Sequence, residues 1–130
     1  MEYFLLSIVL LFALGCNDKS VGPDQVNLKL DEAFELKVGQ TATVNGFALT
    51  FSYIANDSRC PKNVECFWPG NAAVVLTFSD EPDTLNTSVQ PHEIAHNGYI
   101  IRLIELSPYP EYPQVIQKDN YAARLVVRKI

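Results

Sequence analysis

An alternation of period two runs through most of this chain and restricts its body to half-buried strands. Phe34-Glu35-Leu36-Lys37-Val38 alternates apolar with charged residues, which puts Phe34, Leu36 and Val38 on one face of a strand. Phe47, Leu49, Phe51 and Tyr53 repeat the pattern. Asn45-Gly46 before them is a tight-turn signal that joins this strand to Thr41-Ala42-Thr43-Val44 as a hairpin. Further strands are predicted at 72–79, 85–89, 99–106 and 121–130, each rich in Val, Ile, Thr or aromatic residues. No long stretch of the body carries a helical period, and no internal repeat is present. Short strands parted by Gly, Pro, Asn and Asp clusters predict an all-β domain, an antiparallel β-sandwich of immunoglobulin-like style, with a small β-barrel as the alternative.

The 130 residues suffice for one such domain, and 48% hydrophobic with 19% charged residues supplies apolar surface for a core. The net charge of −5, with no basic run, excludes nucleic acid as a partner, because phosphate neutralisation needs clustered Lys and Arg.

The N-terminus is apolar from 3 to 14, long enough for a signal-peptide core and short of the roughly 20 residues that span a bilayer. It ends in Ala13-Leu14-Gly15-Cys16, which resembles the lipobox of bacterial lipoproteins. That resemblance implies diacylglyceryl transfer to Cys16, cleavage before it, and fatty acylation (palmitate) of the new amine. Several acyl chains on one residue hold a membrane stably where one alone is marginal. Residues 17–25 are polar and turn-rich, with Gly22-Pro23 among them, and read as a flexible tether. The expected organisation is a leader at 1–15, lipidated Cys16 and tether at 16–26, and one all-β domain at 27–130. The expected location is the cell envelope, on the outer membrane of a Gram-negative bacterium.

With Cys16 assigned to lipid, Cys60 and Cys66 are left as a single pair, and export favours their oxidation to a disulfide. Pro69-Gly70, just after them, suits positions two and three of a type II turn into the strand at 72. Trp68 beside the pair reads either as a plug for one end of the core or as a ligand platform.

Asp57-Ser58-Arg59-Cys60-Pro61 followed by Cys66-Phe67-Trp68-Pro69-Gly70-Asn71 resembles a motif of small exported bacterial lipoproteins of unknown function. Leu106-Ser107-Pro108-Tyr109-Pro110, with Asp119-Asn120-Tyr121 opening a last strand, is similar to their tail. The resemblance covers roughly residues 32–130 and implies no particular activity.

His92-Glu93-Ile94-Ala95-His96 matches the H-E-x-x-H of zinc metallopeptidases, a motif that works on a helix, where both imidazoles share a face and the Glu activates a bound water. Its flanks here are strand-like, the interval is too short for a substantial helix, and Glu105 and Glu111 are the only downstream candidates for a third ligand. A connecting loop is expected instead, with His92 and His96 as weak metal candidates. A four-ligand zinc site from Cys60, Cys66, His92 and His96 competes with oxidation of the cysteines. The run Asp80-Glu81-Pro82-Asp83 reads as an acidic turn or a hard-cation ligand set. Asn56-Asp57-Ser58 and Asn86-Thr87-Ser88 match glycosylation sequons, which the bacterial reading makes coincidental.

Pro108-Tyr109-Pro110-Glu111-Tyr112-Pro113 is expected as an extended connection crossing from one sheet to the other. Its tyrosines either lie on the core edge or join Phe67 and Trp68 as an aromatic surface for a glycan or protein partner. The expected function is a lipid-anchored, non-enzymatic binding or accessory module without a cofactor. The alternatives are a purely structural envelope lipoprotein and a zinc peptidase using His92, Glu93 and His96.

Overall fold

The computed structural model describes residues 24–130, so the leader, Cys16 and most of the expected tether lie outside the described residues. Nine strands are described: β1 (Gln25–Asn27), β2 (Phe34–Lys37), β3 (Thr41–Val44), β4 (Phe47–Asp57), β5 (Ala72–Phe78), β6 (Glu81–Asn86), β7 (Glu93–His96), β8 (Tyr99–Ser107) and β9 (Ala122–Lys129). They form a five-stranded sheet in the order β1-β3-β4-β5-β6 and a four-stranded sheet in the order β2-β9-β8-β7. All pairs are antiparallel except β1 with β3, which is parallel. The two sheets pack face to face as a sandwich. Each keeps two edge strands, so the small barrel is not the architecture.

The alternation places the core as expected for most strands. Leu36, Leu49, Phe51, Val74, Leu76, Phe78, Ile101, Leu125 and Val127 are buried between the sheets, each stabilising the fold by about 1.5–3 kcal/mol relative to exposure. Phe34 and Val38 pack against this cluster at its edge.

β4 carries two register irregularities against β5, between Phe51 and Tyr53 and between Ile54 and Asn56. Each sets two residues of β4 against one of β5, which switches the face that follows. The first turns Tyr53 outward, against the simple alternation, and Ile54 inward. The second sets Asp57 opposite Ala72, a fully buried residue, so the Asp57 carboxylate points at the space between the sheets. A third irregularity, between Leu103 and Glu105 of β8, buries Leu106 and leaves Ile104 outside.

The other departures from expectation have local causes. Gln25 and Val26 belong to strand β1, where pairing with β3 removes them from the tether. Only Ser79-Asp80 turns, with both φ values positive (45° and 75°), while Glu81, Pro82 and Asp83 lie in edge strand β6 rather than in an acidic turn. Proline is tolerated there because an edge strand has one unpaired side. His92-Glu93-Ile94-Ala95-His96 is not a loop: Glu93–His96 is strand β7, joined to β8 by Asn97-Gly98 with φ values of 49° and 83°. Finally, the proline-rich segment does not cross between sheets, because β8 and β9 are neighbours in one sheet and residues 108–121 loop out from its end and return.

Candidate functional site

The Asp57-Ser58-Arg59-Cys60 motif leaves β4 at one pole of the sandwich. The β4–β5 ladder continues through it, with the Ser58 amide donating to the Asn71 carbonyl at 2.7 Å and the Cys60 amide to the Pro69 carbonyl at 2.8 Å. Gly70 has the positive φ expected of it, +71°, but Pro69-Gly70 forms no type II turn: residues 69–71 run extended against 58–60, with buried Gly70 opposite Arg59. Cys60 and Cys66 are joined by the expected disulfide. In the chain-entropy account such a small ring stabilises the domain by about 2–2.5 kcal/mol. A Cys60→Ser, Cys66→Ser chain is therefore expected to unfold at lower denaturant with a free-energy deficit of that size. Equal midpoints for the double variant and the oxidised parent would refute it.

Arg59 is the one buried charged residue among those described, its side chain 3% exposed. Its guanidinium donates from Nε and Nη2 to the two Asp57 oxygens at 2.9 and 2.8 Å, from Nη1 to the Leu106 carbonyl at 2.7 Å, and from Nη2 to the Pro108 carbonyl at 3.0 Å. The bidentate pair matches a planar fork to a carboxylate, and the carbonyls take up two more of the five N–H donors, the kind of compensation a buried charge requires. Tyr109 lies against the same group, its ring centroid 5.2 Å from Cζ. The Tyr121 hydroxyl donates to Asp57 Oδ2 at 2.8 Å. Burial pushes the Asp57 pKa up, but the hydrogen bonds from Arg59 and Tyr121 outweigh it and hold the carboxyl below its ordinary 3.8. Burial and the bond to Asp57 push Tyr121 up to about 12. Arg59, on one sheet, thereby clamps the end of β8, on the other.

The two loops at this pole are bonded to each other. The Lys62 amide donates to the Pro110 carbonyl at 3.0 Å, and the Asn63 amide group both donates to the Tyr112 carbonyl, at 2.8 Å, and accepts the Tyr112 N–H, at 2.9 Å. Lys62 and Glu111 pair at 3.3 Å on the surface, where such a contact contributes at most about 1 kcal/mol. Asn71 holds a third loop, accepting the amides of Ser88 and Val89 and donating to Asn86 Oδ1.

On this braced base the expected surface residues are exposed: Phe67 111%, Trp68 57%, Tyr109 50% and Tyr112 68%. Trp68 is therefore not a plug for the core; Tyr121, Leu106 and the Arg59 cluster close this end instead. The tyrosines likewise do not lie buried on the core edge. A cleft of about 570 Å³ opens beside Asp57 and Tyr121, walled by Val38, Tyr53, Ile54 and Ile116. Of its two carboxylates, that of Asp57 is already engaged by Arg59 and Tyr121, and Asp119 lines the cleft beside Lys118.

The metal candidates are not brought together. Four residues along an extended strand separate two side chains by roughly 13 Å, too far for one ion to hold both His92 and His96. His92 Nδ1 is 2.9 Å from the Asn86 carbonyl, and His96 stacks on Phe78 with ring centroids 4.7 Å apart. Glu93 faces Arg128 at 3.7 Å. Cys60 and Cys66 are spent in the disulfide, and among the described residues no three His, Cys, Asp or Glu side chains cluster as a metal site.

The sequence supplied the exposed aromatics and the cysteine pair but missed the roles of Arg59, Asp57 and Tyr121. The signal was an acid and a base two residues apart at a strand end, beside a cysteine. Asn97-Gly98 was a second missed signal, since that dipeptide after a short apolar alternation marks a hairpin. Compared with models of known families, with curated proteins and with solved structures, the chain has no significant match in any of the three.

Proposed function

We propose that this chain is a lipid-anchored protein of the bacterial cell envelope, held in the outer membrane of a Gram-negative cell through Cys16, and that it works by contact rather than by catalysis. Its scaffold is read as an immunoglobulin-style sandwich whose loops gather at the poles. The observation that carries the reading is the pole built on Arg59: a disulfide, a bidentate ion pair and loop-to-loop hydrogen bonds hold Phe67, Trp68, Tyr109 and Tyr112 out into solvent. Bracing the loop backbone beforehand lowers the entropy cost of binding, and large aromatic residues dominate contact energetics. The partner is another component of the envelope, the class in which the expected glycan and protein partners fall. The disulfide supports an oxidising compartment.

Cell fractionation tests the anchor. The Cys16→Ser chain is expected to leave the membrane pellet for the soluble fraction, and one that pellets as the parent does would remove lipidation from the account. Capture tests the surface: envelope components retained by the parent are expected to be lost with a Trp68→Ala, Tyr112→Ala chain. Identical retention by both would leave the pole without a binding role.

A further inference from the structure

The order of the strands places the chain's entry and the aromatic pole on the same side. β1 runs parallel to β3 with Gln25 opposite Thr41, and Thr41 lies opposite Thr50 of β4. Asp24, whose carbonyl accepts the Thr41 amide at 2.8 Å, therefore sits at the end of β1 that points along β4 toward Asp57. From that level the backbone climbs β4 and residues 58–60 to the disulfide, roughly 30 Å at about 3.3 Å per residue. Eight residue steps separate Asp24 from Cys16, and a chain of that length reaches at most about 29 Å. The pole thus projects from Asp24 about as far as the intervening chain can stretch. A bilayer that holds acyl chains on Cys16 is thus within reach of Phe67 and Trp68.

The chemistry of the pole fits such a surface. Phe67 and Val115 are largely exposed apolar side chains, and Trp68, Tyr109 and Tyr112 pair an apolar body with a polar tip, the combination favoured at headgroup depth. The loops add Lys62, Glu65, Glu111, Lys118 and Asp119, a near balance that gives no attraction to anionic lipid. We propose that this aromatic pole seats in the headgroup region of the phospholipid bilayer that holds the Cys16 lipid, so that the domain stands oriented rather than merely tethered. The proposal rests on the lipid-anchor reading and names the envelope component that the pole contacts. The hairpin turns at Asn45-Gly46, Ser79-Asp80 and Asn97-Gly98 are thereby directed away from the membrane.

Trp68 is the only tryptophan, so its fluorescence reports the pole directly. The full mature chain, purified from bacterial membranes with the lipid on Cys16 verified by the mass of its N-terminal peptide, is placed in phosphatidylcholine vesicles with and without brominated acyl chains. The expected result is emission shifted to shorter wavelength and quenched by the brominated lipid, unchanged by added salt. A Phe67→Ser chain, altered at a fully exposed side chain, is expected to lose much of that quenching while unfolding at the same temperature. An anchored, folded chain whose Trp68 emission is neither shifted nor quenched overturns the proposal and leaves the anchor standing. Protection of Trp68 from acrylamide only on addition of glycan strands or an envelope protein also overturns it, and gives the pole to that partner. An N-terminal peptide without lipid removes the anchor and the proposal together.

Discussion

Asp57→Ala is expected to destabilise the domain by about 3–5 kcal/mol, the range found when one member of a buried ion pair is removed. The loss is large because the partner stays behind: the Arg59 side chain is 3% exposed and would keep only the Leu106 and Pro108 carbonyls. The Tyr121 hydroxyl would lose its acceptor as well. Domains of this size hold about 5–15 kcal/mol in all, so the variant sits near the edge of folding. Urea unfolding measures the cost, and an Asp57→Ala, Arg59→Met chain is expected to recover part of it, since no unpaired charge then remains. A single variant within about half a kcal/mol of the parent, the spread of ordinary surface changes, would show that the pair does not hold the pole. The same network fixes a pH dependence. The folded Asp57 pKa lies below its ordinary 3.8, so its stabilisation is complete above that pH and lost as pH falls through the folded value. The Tyr121 pKa is raised to about 12, so its contribution is complete below pH 10 and lost as pH rises from there toward 12.

The sandwich was legible in the sequence wherever one strand face is buried, because alternation then reports the face directly. Leu36, Leu49 and Phe51 are where the pattern put them. It failed at the irregularities of β4: an extra residue in a strand leaves no mark in composition, yet it turned Tyr53 out and carried Asp57 in. It failed at β7 because a literal H-E-x-x-H drew more weight than the hairpin signal of Asn97-Gly98 beside it. The aromatic pole was half legible. Proline excluded regular sheet from the 108–113 segment, and a conformationally special glycine was evident at 70. That Arg59 would find carbonyls 47 and 49 residues onward was not, since local sequence carries no record of which distant backbone oxygens a buried guanidinium meets. Trp68 followed the same logic in reverse: large aromatics in small domains are commonly buried, but here Tyr121 and Leu106 already fill that end.

Gly70→Ala is the second large expected effect, and its cause is steric. A Cβ at this position would lie 1.8 Å from the Ser58 carbonyl oxygen, 2.5 Å from its carbon and 2.8 Å from the Arg59 Cα, all of them backbone atoms with no rotamer to yield. The residue also holds φ +71°, where a side chain costs about 1–2 kcal/mol by itself. Relief requires the 58–60 strand to move off the 69–71 strand, which breaks the Ser58–Asn71 and Cys60–Pro69 hydrogen bonds and shifts Arg59 from Asp57. The expected cost is about 4 kcal/mol or more, in the range reserved for backbone strain joined to a broken buried network. Gly39→Ala supplies the comparison: φ is +87° there, but nothing lies within 4 Å of the added atom, so only the conformational cost of about 1–2 kcal/mol remains. The difference between the two midpoints isolates the close approach of the two chains at the pole. Equal stability for the Gly70 and Gly39 variants would mean that Ser58 and Gly70 are not packed backbone to backbone, and that the aromatic platform lacks its rigid base.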